Sequence, residues 1–468
     1  MQDRQRIGRR AFLRSSAATA AGLSAGSSVA AECDAEPLPG VYRQPAQDVP
    51  ILEQADVVVC GAGPAGVSAA IAAARAGAKT RLIEVNGCLG GIWTAGLLSW
   101  IIDASNKSGI MKEMLDRLGK RDAVERFGGS FGYDIERMKL VLEQMCAEAG
   151  VNIQLHTRVV AATRNEANRL TMAVTESKSG RQAFSGKVFI DATGDGDLAA
   201  RAGCQFDYGR KGTGEAQPMS MIVLLAGLDP DQVAPFVRGL AEPRGFKNPK
   251  KRLLEEMRRA GVEPSYAGPT IFHIAPGLFA MMANHEYGVA GTDAAQVTAA
   301  TLGGRAEVNR LVDALRSLGG VWKNVLLVAS PEHIGVREGR RIHGRYQVTA
   351  ADLIQGARHD DAVCRSTFGV DIHAPDPKRS KGIVKDGVHK TQPYDIPYRA
   401  LIARDVDGLL TAGRCISGDF VAHSSYRVTG NAVAMGQAAG TAAAVAAATN
   451  LLPQDVPWAE VAKAIRSD

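Results

Sequence analysis

The run Asp56–Glu84, DVVVCGAGPAGVSAAIAAARAGAKTRLIE, constrains the fold of this chain more than any other stretch. A β-branched apolar strand, Asp56–Cys60, runs into Gly61-Ala62-Gly63-Pro64-Ala65-Gly66, then a helix of small residues, then a second strand ending in an acid. Each part has a mechanical role in a cradle for a dinucleotide. Gly61 permits the tight turn out of the strand, Gly63 lets backbone approach a pyrophosphate, and Gly66 lets the helix lie close on the sheet. Pro64 falls in the first helical turn, where a missing N–H costs little. The helix N-terminus that starts at Pro64 and Ala65 offers backbone N–H groups and partial positive charge to phosphates. Glu84, 18 residues past Gly66, is placed to accept hydrogen bonds from ribose hydroxyls.

With 468 residues the chain can hold two or three cores. Five arginines against Asp3 in residues 1–31 account for +4 of the formal +6, leaving +2 for the rest. That balance, with no basic stripe interleaved with aromatics, excludes a nucleic-acid footprint. The sequence Gly8-Arg9-Arg10-Ala11-Phe12-Leu13-Arg14 resembles a twin-arginine export signal, followed by an Ala/Gly/Ser-rich stretch that ends in small residues near Ala30 or Ala31. The stretch is too polar and short for a stable membrane anchor, and Glu32 before Cys33 argues against a lipoprotein site. The expected location is therefore periplasmic or secreted, with the twin-arginine machinery as an export partner. The seven cysteines are scattered, without CxxC or Cys/His spacing, so no metal site is expected.

Residues 32–49 read as a linker. Beyond the first βαβ unit, a glycine-rich loop covers Gly87–Ser99. Residues 134–149 have helical periodicity, strands are expected at Val151–Leu155, Val159–Thr163 and Lys187–Thr193, and a charged hairpin near 164–188. Residues 408–413 form another buried strand ending in glycine. An Ala/Gly-rich helix from about Asn431 to Ala448 reads as a buried packing helix rather than a membrane span, since it carries Asn431, Gln437 and repeated Gly.

Glycine-punctuated strand ends at residues 61–66, 194–196 and 413 resemble the FAD domain of glutathione-reductase-type flavoproteins. The motifs Gly90–Leu97, Asp191–Asp197, Gly335–Arg341, Tyr394–Arg399, Ala412–Ser417 and Gly436–Ala443 narrow the resemblance to the FAD-dependent oxidoreductase family, over about residues 52–450. The resemblance implies an α/β chain with a Rossmann-type FAD-binding domain split between residues 50–206 and 385–452. An inserted α+β substrate (cap) domain occupies 207–384, and 453–468 form a tail. It implies FAD as cofactor. Gly61, Gly63, Pro64, Ala65 and Gly66 would cradle its pyrophosphate, and Glu84 would bind the adenosine ribose. Gly91 and Thr94 would lie along the pyrophosphate and flavin side, and the Val159 backbone would meet adenine. Thr193, Gly194 and Asp195 would close over the cofactor, with Gly413 and Arg414 near the ribityl chain. The helix after Gly430 would aim its N-terminus at the flavin pyrimidine, where reduced flavin gathers negative charge.

Flavin supplies the electron chemistry and the protein supplies position and charge. Substrate residues are expected from the cap and from a polar loop, Asp419–Arg427. His423 in that loop is a candidate proton-transfer group. Arg427 is a candidate carboxylate or enolate clamp, with a salt bridge to Asp419 as its other reading. Arg337 and Arg341 share a face if Gly335–Val348 is helical, and Arg337 is the third catalytic candidate. His373, in Asp371-Ile372-His373, is a weaker substrate-side candidate, and His273 and His285 read as structural. No second dinucleotide motif appears. The expected activity moves a hydride between a small organic substrate and FAD, with dioxygen, a quinone or a periplasmic carrier as the electron partner. Two alternatives are fumarate-reductase-like reduction of an activated double bond and an electron-transfer subunit without its own substrate. Changing Arg9 and Arg10 together to Lys should trap the unprocessed precursor in the cytoplasm, read by fractionation; undiminished export would remove the signal reading.

Overall fold

The computed structural model describes residues 44–240 and 247–467, together with Gly40 and Tyr42. The expected export signal, residues 1–31, and most of the expected linker lie outside the described residues. The chain divides into Met1–Asp48 and Val49–Asp468. The described part of the first unit contains no helix or strand. Everything below concerns the second.

Its central sheet is built on the expected βαβ unit. The first strand, Ile51–Cys60, lies between Thr80–Ile83 and Gly180–Asp191, parallel to both. Asn152–Gln154 extends the parallel layer beyond Thr80–Ile83, and Leu409–Thr411 adds to the end of Gly180–Asp191. The antiparallel strands Arg158–Arg164 and Leu170–Ser177 complete the sheet. Both faces of the parallel layer are covered, which explains why Val57, Val58, Val59 and Cys60 are all buried rather than alternating. In a parallel α/β sheet the ligand crevice lies beyond the carboxyl ends of the strands, here Cys60, Ile83, Asp191 and Thr411.

Two helices cover one face at unusually close range. The first helix, Pro64–Arg75, and the closing helix, Thr429–Thr449, meet through small residues. A side chain at Gly436 would collide with the carbonyl oxygen of Ala65, and one at Gly440 with that of Ala69. Ser68 Oγ donates to the Val433 carbonyl at 2.8 Å across the seam. The closing helix is long and apolar enough to cross a membrane by composition, yet most of it is buried inside the fold, in keeping with its reading as a packing helix.

The cap carries its own five-stranded sheet, in the order Val237–Arg238, Thr270–Ala275, Leu278–Met282, Ile222–Ala226, Leu326–Ala329. Helices Lys247–Arg259 and Ala294–Ser317 contribute Leu253, Met257, Val308 and Leu311 to its separate core, together with Val223, Phe279 and Trp322. This sheet ends at Ala329, well short of residue 384. The following segment, Gly335–Val348, is not the helix that placed Arg337 and Arg341 on one face. It is extended, and Arg341–Ile342 pairs with Phe206–Asp207. Residues 453–468, expected as a tail, include the helix Trp458–Ser467, whose Trp458 stacks on Tyr398 with centroids 5.5 Å apart.

Gly440→Val should lower the stability of the folded chain by about 1–3 kcal/mol through overpacking, although removing a mid-helix glycine alone would add about 1 kcal/mol. A thermal melt with unchanged or higher midpoint would show that the two helices are not held at backbone contact.

Candidate active site

A cavity of about 470 Å³ opens at the carboxyl edge of the parallel sheet. One wall is the predicted cradle: Gly61, Gly63, Pro64, Ala65, Glu84, Gly91, Val159, Thr193, Gly194, Gly413 and Arg414 all line it. The local chemistry explains why each sits there. Gly61 has φ +92°, and a Cβ on it would press on the Ala192 carbonyl oxygen at 2.5 Å. Gly63 has an ordinary extended backbone, φ −67° and ψ −175°, and a Cβ there would touch no protein atom within 4 Å. Its small size is therefore not demanded by the backbone or its neighbours, and a side chain there would fill the cradle. Glu84 turns inward, accepting from the Ala62 N–H at 2.5 Å and from Asn86 at 2.9 and 2.7 Å. Burial raises its pKa, against the pull of those hydrogen bonds.

Three cradle candidates do not line the cavity. Gly66 lies beneath the loop, where a side chain would collide with the Gly61 carbonyl oxygen; its role is the close packing expected of it. Thr94 is buried, its hydroxyl donating to the Leu89 carbonyl at 2.5 Å, and it props the Gly90–Gly91 turn from behind. Asp195 accepts from Arg414 at 2.7 Å and so orients a side chain that does reach the cavity. Burial raises the Asp195 pKa to about 6 despite the Arg414 charge.

The start of the closing helix meets the same cavity through Val428, Thr429 and Ala432. Among the described residues, no side chain caps the start of this helix or of Pro64–Arg75. The Thr429 hydroxyl and Arg427 Nε are buried with no hydrogen-bond partner among the described residues. Two helix starts that no described side chain caps, meeting at one cavity, suit a ligand with anionic and carbonyl oxygens.

Polar residues also line the cavity, most of them from the segment 207–384 expected as the cap. Arg337, Arg427, Asp371, His373 and Tyr266 line it, with Trp100 and Phe272 as apolar neighbours. Arg337 donates to the Pro218 carbonyl at 2.7 Å and the Ser220 hydroxyl at 2.9 Å. Arg427 donates to the Asp371 carbonyl at 2.9 Å and approaches its carboxylate at 3.5 Å. It does not pair with Asp419, which instead caps the following helix by accepting from the Ala422 N–H at 2.7 Å. Burial lowers the pKa of both arginines, that of Arg337 to about 10. Burial opposes ionisation of Asp371, but the His373 contact and the Arg427 and Arg337 charges outweigh it and hold its pKa well below the usual range.

His423 requires a correction. The polar stretch read as a loop folds as a helix, Phe420–Tyr426, capped by Asp419, and turns His423 away from the cavity. The ring is fully buried, its nitrogens have no hydrogen-bond partner among the described residues, and Glu338 lies 3.8 Å away. Burial first, then the charges of Arg341, Arg427 and Arg414, lowers its pKa far below neutrality. His423 is therefore buried in the core and does not line the cavity. The residues that do face the cavity, Asp371 and His373, carried a readable signal: two polar side chains at i and i+2 on one short strand edge point the same way.

These features resolve the chain's identity at the family level. A family model described as FAD dependent oxidoreductase matches residues 56–465. The chain belongs to this family. FAD is its cofactor, and it is an enzyme. Solved structures similar to it include a geranylgeranyl bacteriochlorophyll reductase-like protein from Thermoplasma acidophilum, 14% identical over 89% of this chain and 82% of that one, TM-score 0.46. The flavin-dependent brominase Bmp2 is 12% identical over 89% and 83%, TM-score 0.47. The myxobacterial chondrochloren halogenase CndH is 13% identical over 88% and 78%, TM-score 0.43. No curated protein matches the chain.

Gly63→Val in this FAD-dependent oxidoreductase should leave the unfolding free energy of the cofactor-free chain within about 0.5 kcal/mol of the parent and weaken FAD binding at least about 100-fold. Titration calorimetry decides it: unchanged FAD affinity would mean that Gly63 does not border the cofactor.

Proposed function

We propose that the chain oxidises a small organic anion by hydride transfer to bound FAD, after export by the twin-arginine route. The observation that carries this reading is one continuous cavity lined both by the dinucleotide cradle and by the cluster Arg337, Arg427, Asp371 and His373. When bound, FAD supplies the two-electron acceptor. The Gly61–Ala65 turn would hold its pyrophosphate, Glu84 its ribose, and the uncapped start of Thr429–Thr449 the oxygens of its pyrimidine. The glycine-punctuated parallel layer supports a glutathione-reductase-type FAD domain, and its export signal supports a periplasmic or secreted location, where dioxygen or a soluble carrier would reoxidise the enzyme.

The cap-side wall supports the substrate class. Arg427 lines the cavity, and a substrate carboxylate would pair with its guanidinium through a charge-assisted bond. Arg337, fixed by Pro218 and Ser220, adds a second cation that needs no rearrangement. Trp100 and Phe272 shelter the site from water, which strengthens both interactions. The same clamp would serve reduction of an unsaturated acid. Burial lowers the His373 pKa to about 4, so its resting ring is neutral near pH 7 and has a lone pair to accept a proton.

Anaerobic mixing of the FAD-loaded enzyme with a panel of hydroxy acids and amino acids should bleach the flavin absorbance for at least one member. For that substrate, Arg427→Gln should raise KM about 10- to 100-fold, equivalent to about 1.4–2.8 kcal/mol of lost binding. An unchanged KM would overturn the clamp, and bleaching by neutral alcohols alone would overturn the anionic substrate class.

A further inference from the structure

A hydrogen-bonded chain runs from the cap into the cavity wall. The Tyr287 hydroxyl donates to the Ser265 carbonyl at 3.0 Å. Tyr287 also lies 3.0 Å from His285 Nδ1. His285 Nε2 lies 2.9 Å from His373 Nδ1, and His373 Nε2 lies 3.5 Å from Asp371 Oδ2. Both histidines are buried, and His373 and Asp371 line the cavity. Two backbone-anchored bonds hold the ends of the chain: the His285 N–H donates to Ser265 Oγ at 2.8 Å, and the His373 N–H to Gln217 Oε1 at 3.0 Å.

Proton counting sets the direction of this chain. A carbonyl oxygen only accepts, so Tyr287 spends its single proton on Ser265. The Tyr287 oxygen then accepts from His285 Nδ1–H. A neutral imidazole with its proton on Nδ1 has a bare Nε2, so His285 accepts from His373 Nδ1–H. His373 is left with a bare Nε2 at the cavity wall, facing a carboxylate across a gap too wide for a good hydrogen bond. We propose that this Tyr287–His285 chain fixes the tautomer of His373, so that His373 Nε2 is the proton acceptor of the reaction, with Asp371 stabilising the imidazolium that forms.

The proposal rests on the hydride-transfer reading above. An alcohol carbon that loses its C–H as hydride to FAD, with both bonding electrons, leaves a protonated carbonyl. Its O–H bond breaks, the proton bonds to His373 Nε2, and the O–H electrons complete the neutral carbonyl product. The new Nε2–H then points at Asp371. The other groups facing His373 are compatible with a neutral resting ring: Arg337 and Arg427 disfavour its protonation, Tyr266 stacks against it with centroids 5.5 Å apart, and His285 is itself kept neutral by burial. His373 touches the reacting proton and is a catalytic residue. His285 and Tyr287 act through it and are positioning residues.

Nitrogen-15 NMR of the FAD-loaded enzyme labelled in histidine reads the tautomer directly, with resonances assigned from His285→Gln and His373→Gln. The expected result is an Nδ1–H proton on His373 at pH 7, moving to Nε2–H in Tyr287→Phe, where His285 loses its acceptor. In rapid anaerobic mixing with a substrate from the screen, His373→Gln should slow flavin reduction at least 100-fold and Tyr287→Phe at least 10-fold, with FAD affinity unchanged. An Nε2–H tautomer in the parent enzyme, or full-speed reduction by His373→Gln, would overturn the proposal. Failure of every substrate to bleach the parent enzyme would instead overturn the hydride-transfer reading, and the NMR result would still decide the tautomer.

Discussion

Backbone contact between the first helix and the closing helix is the constraint on which the site depends. Gly436 and Gly440 lie directly against the carbonyl oxygens of Ala65 and Ala69, so the helices run closer than any larger residues would allow. These helices belong to segments more than 350 residues apart in sequence, as Ser68 and Val433 show. Because they are locked side by side, the loop at Gly61–Pro64 and the helix start at Thr429 meet the same cavity. The two distant segments thus meet at one site: one brings the glycine turn Gly61–Pro64, the other the helix start at Thr429. A small loss of fit at the seam would move one half of the cofactor site relative to the other.

The cap contributes polarity rather than more cradle. One face of its sheet builds a core of its own around Val223, Phe279 and Trp322, while the other face, with Ile222, Phe272 and Ala280, joins the core beneath the central sheet, and between them they fix Ser220, Tyr266 and His285. Arg337 and Arg427 are each anchored by backbone carbonyls, at Pro218 and Asp371. Anchored cations in a sheltered cavity are preorganised for an anion and cost little to arrange when it arrives. Asp371 prevents the cluster from being purely cationic and gives a nearby histidine a counter-charge once it takes a proton.

Much of the fold was legible because its signals are local. The helix predicted at 134–149 forms as Ile135–Ala149 with Asp134 as its cap, and the strands around Gly61 and Gly413 stand where glycine ended an apolar run. Eleven of the fourteen cofactor candidates line the cavity, since a glycine turn dictates its own geometry. The failures share a physical cause. Whether His423 faces a cavity or a core depends on how Phe420–Tyr426 packs, and Asp419 starts a helix there by capping it, which hid a helix inside a loop-like composition. The Gly335–Val348 segment has charges at helical spacing, but its pairing with a distant strand won over local pattern. The Asp371–His373 pair and His285 come from separate stretches of sequence, and the link between them exists only once the fold brings His285 Nε2 to 2.9 Å from His373 Nδ1.

The most direct test of the whole account is a titration of FAD into the purified cofactor-free chain, followed by the fluorescence of Trp93 and Trp100 and by flavin absorbance. The account predicts saturation at one FAD per chain, with release of intact FAD on denaturation if the link is non-covalent. A chain that folds fully yet takes up no FAD would contradict it.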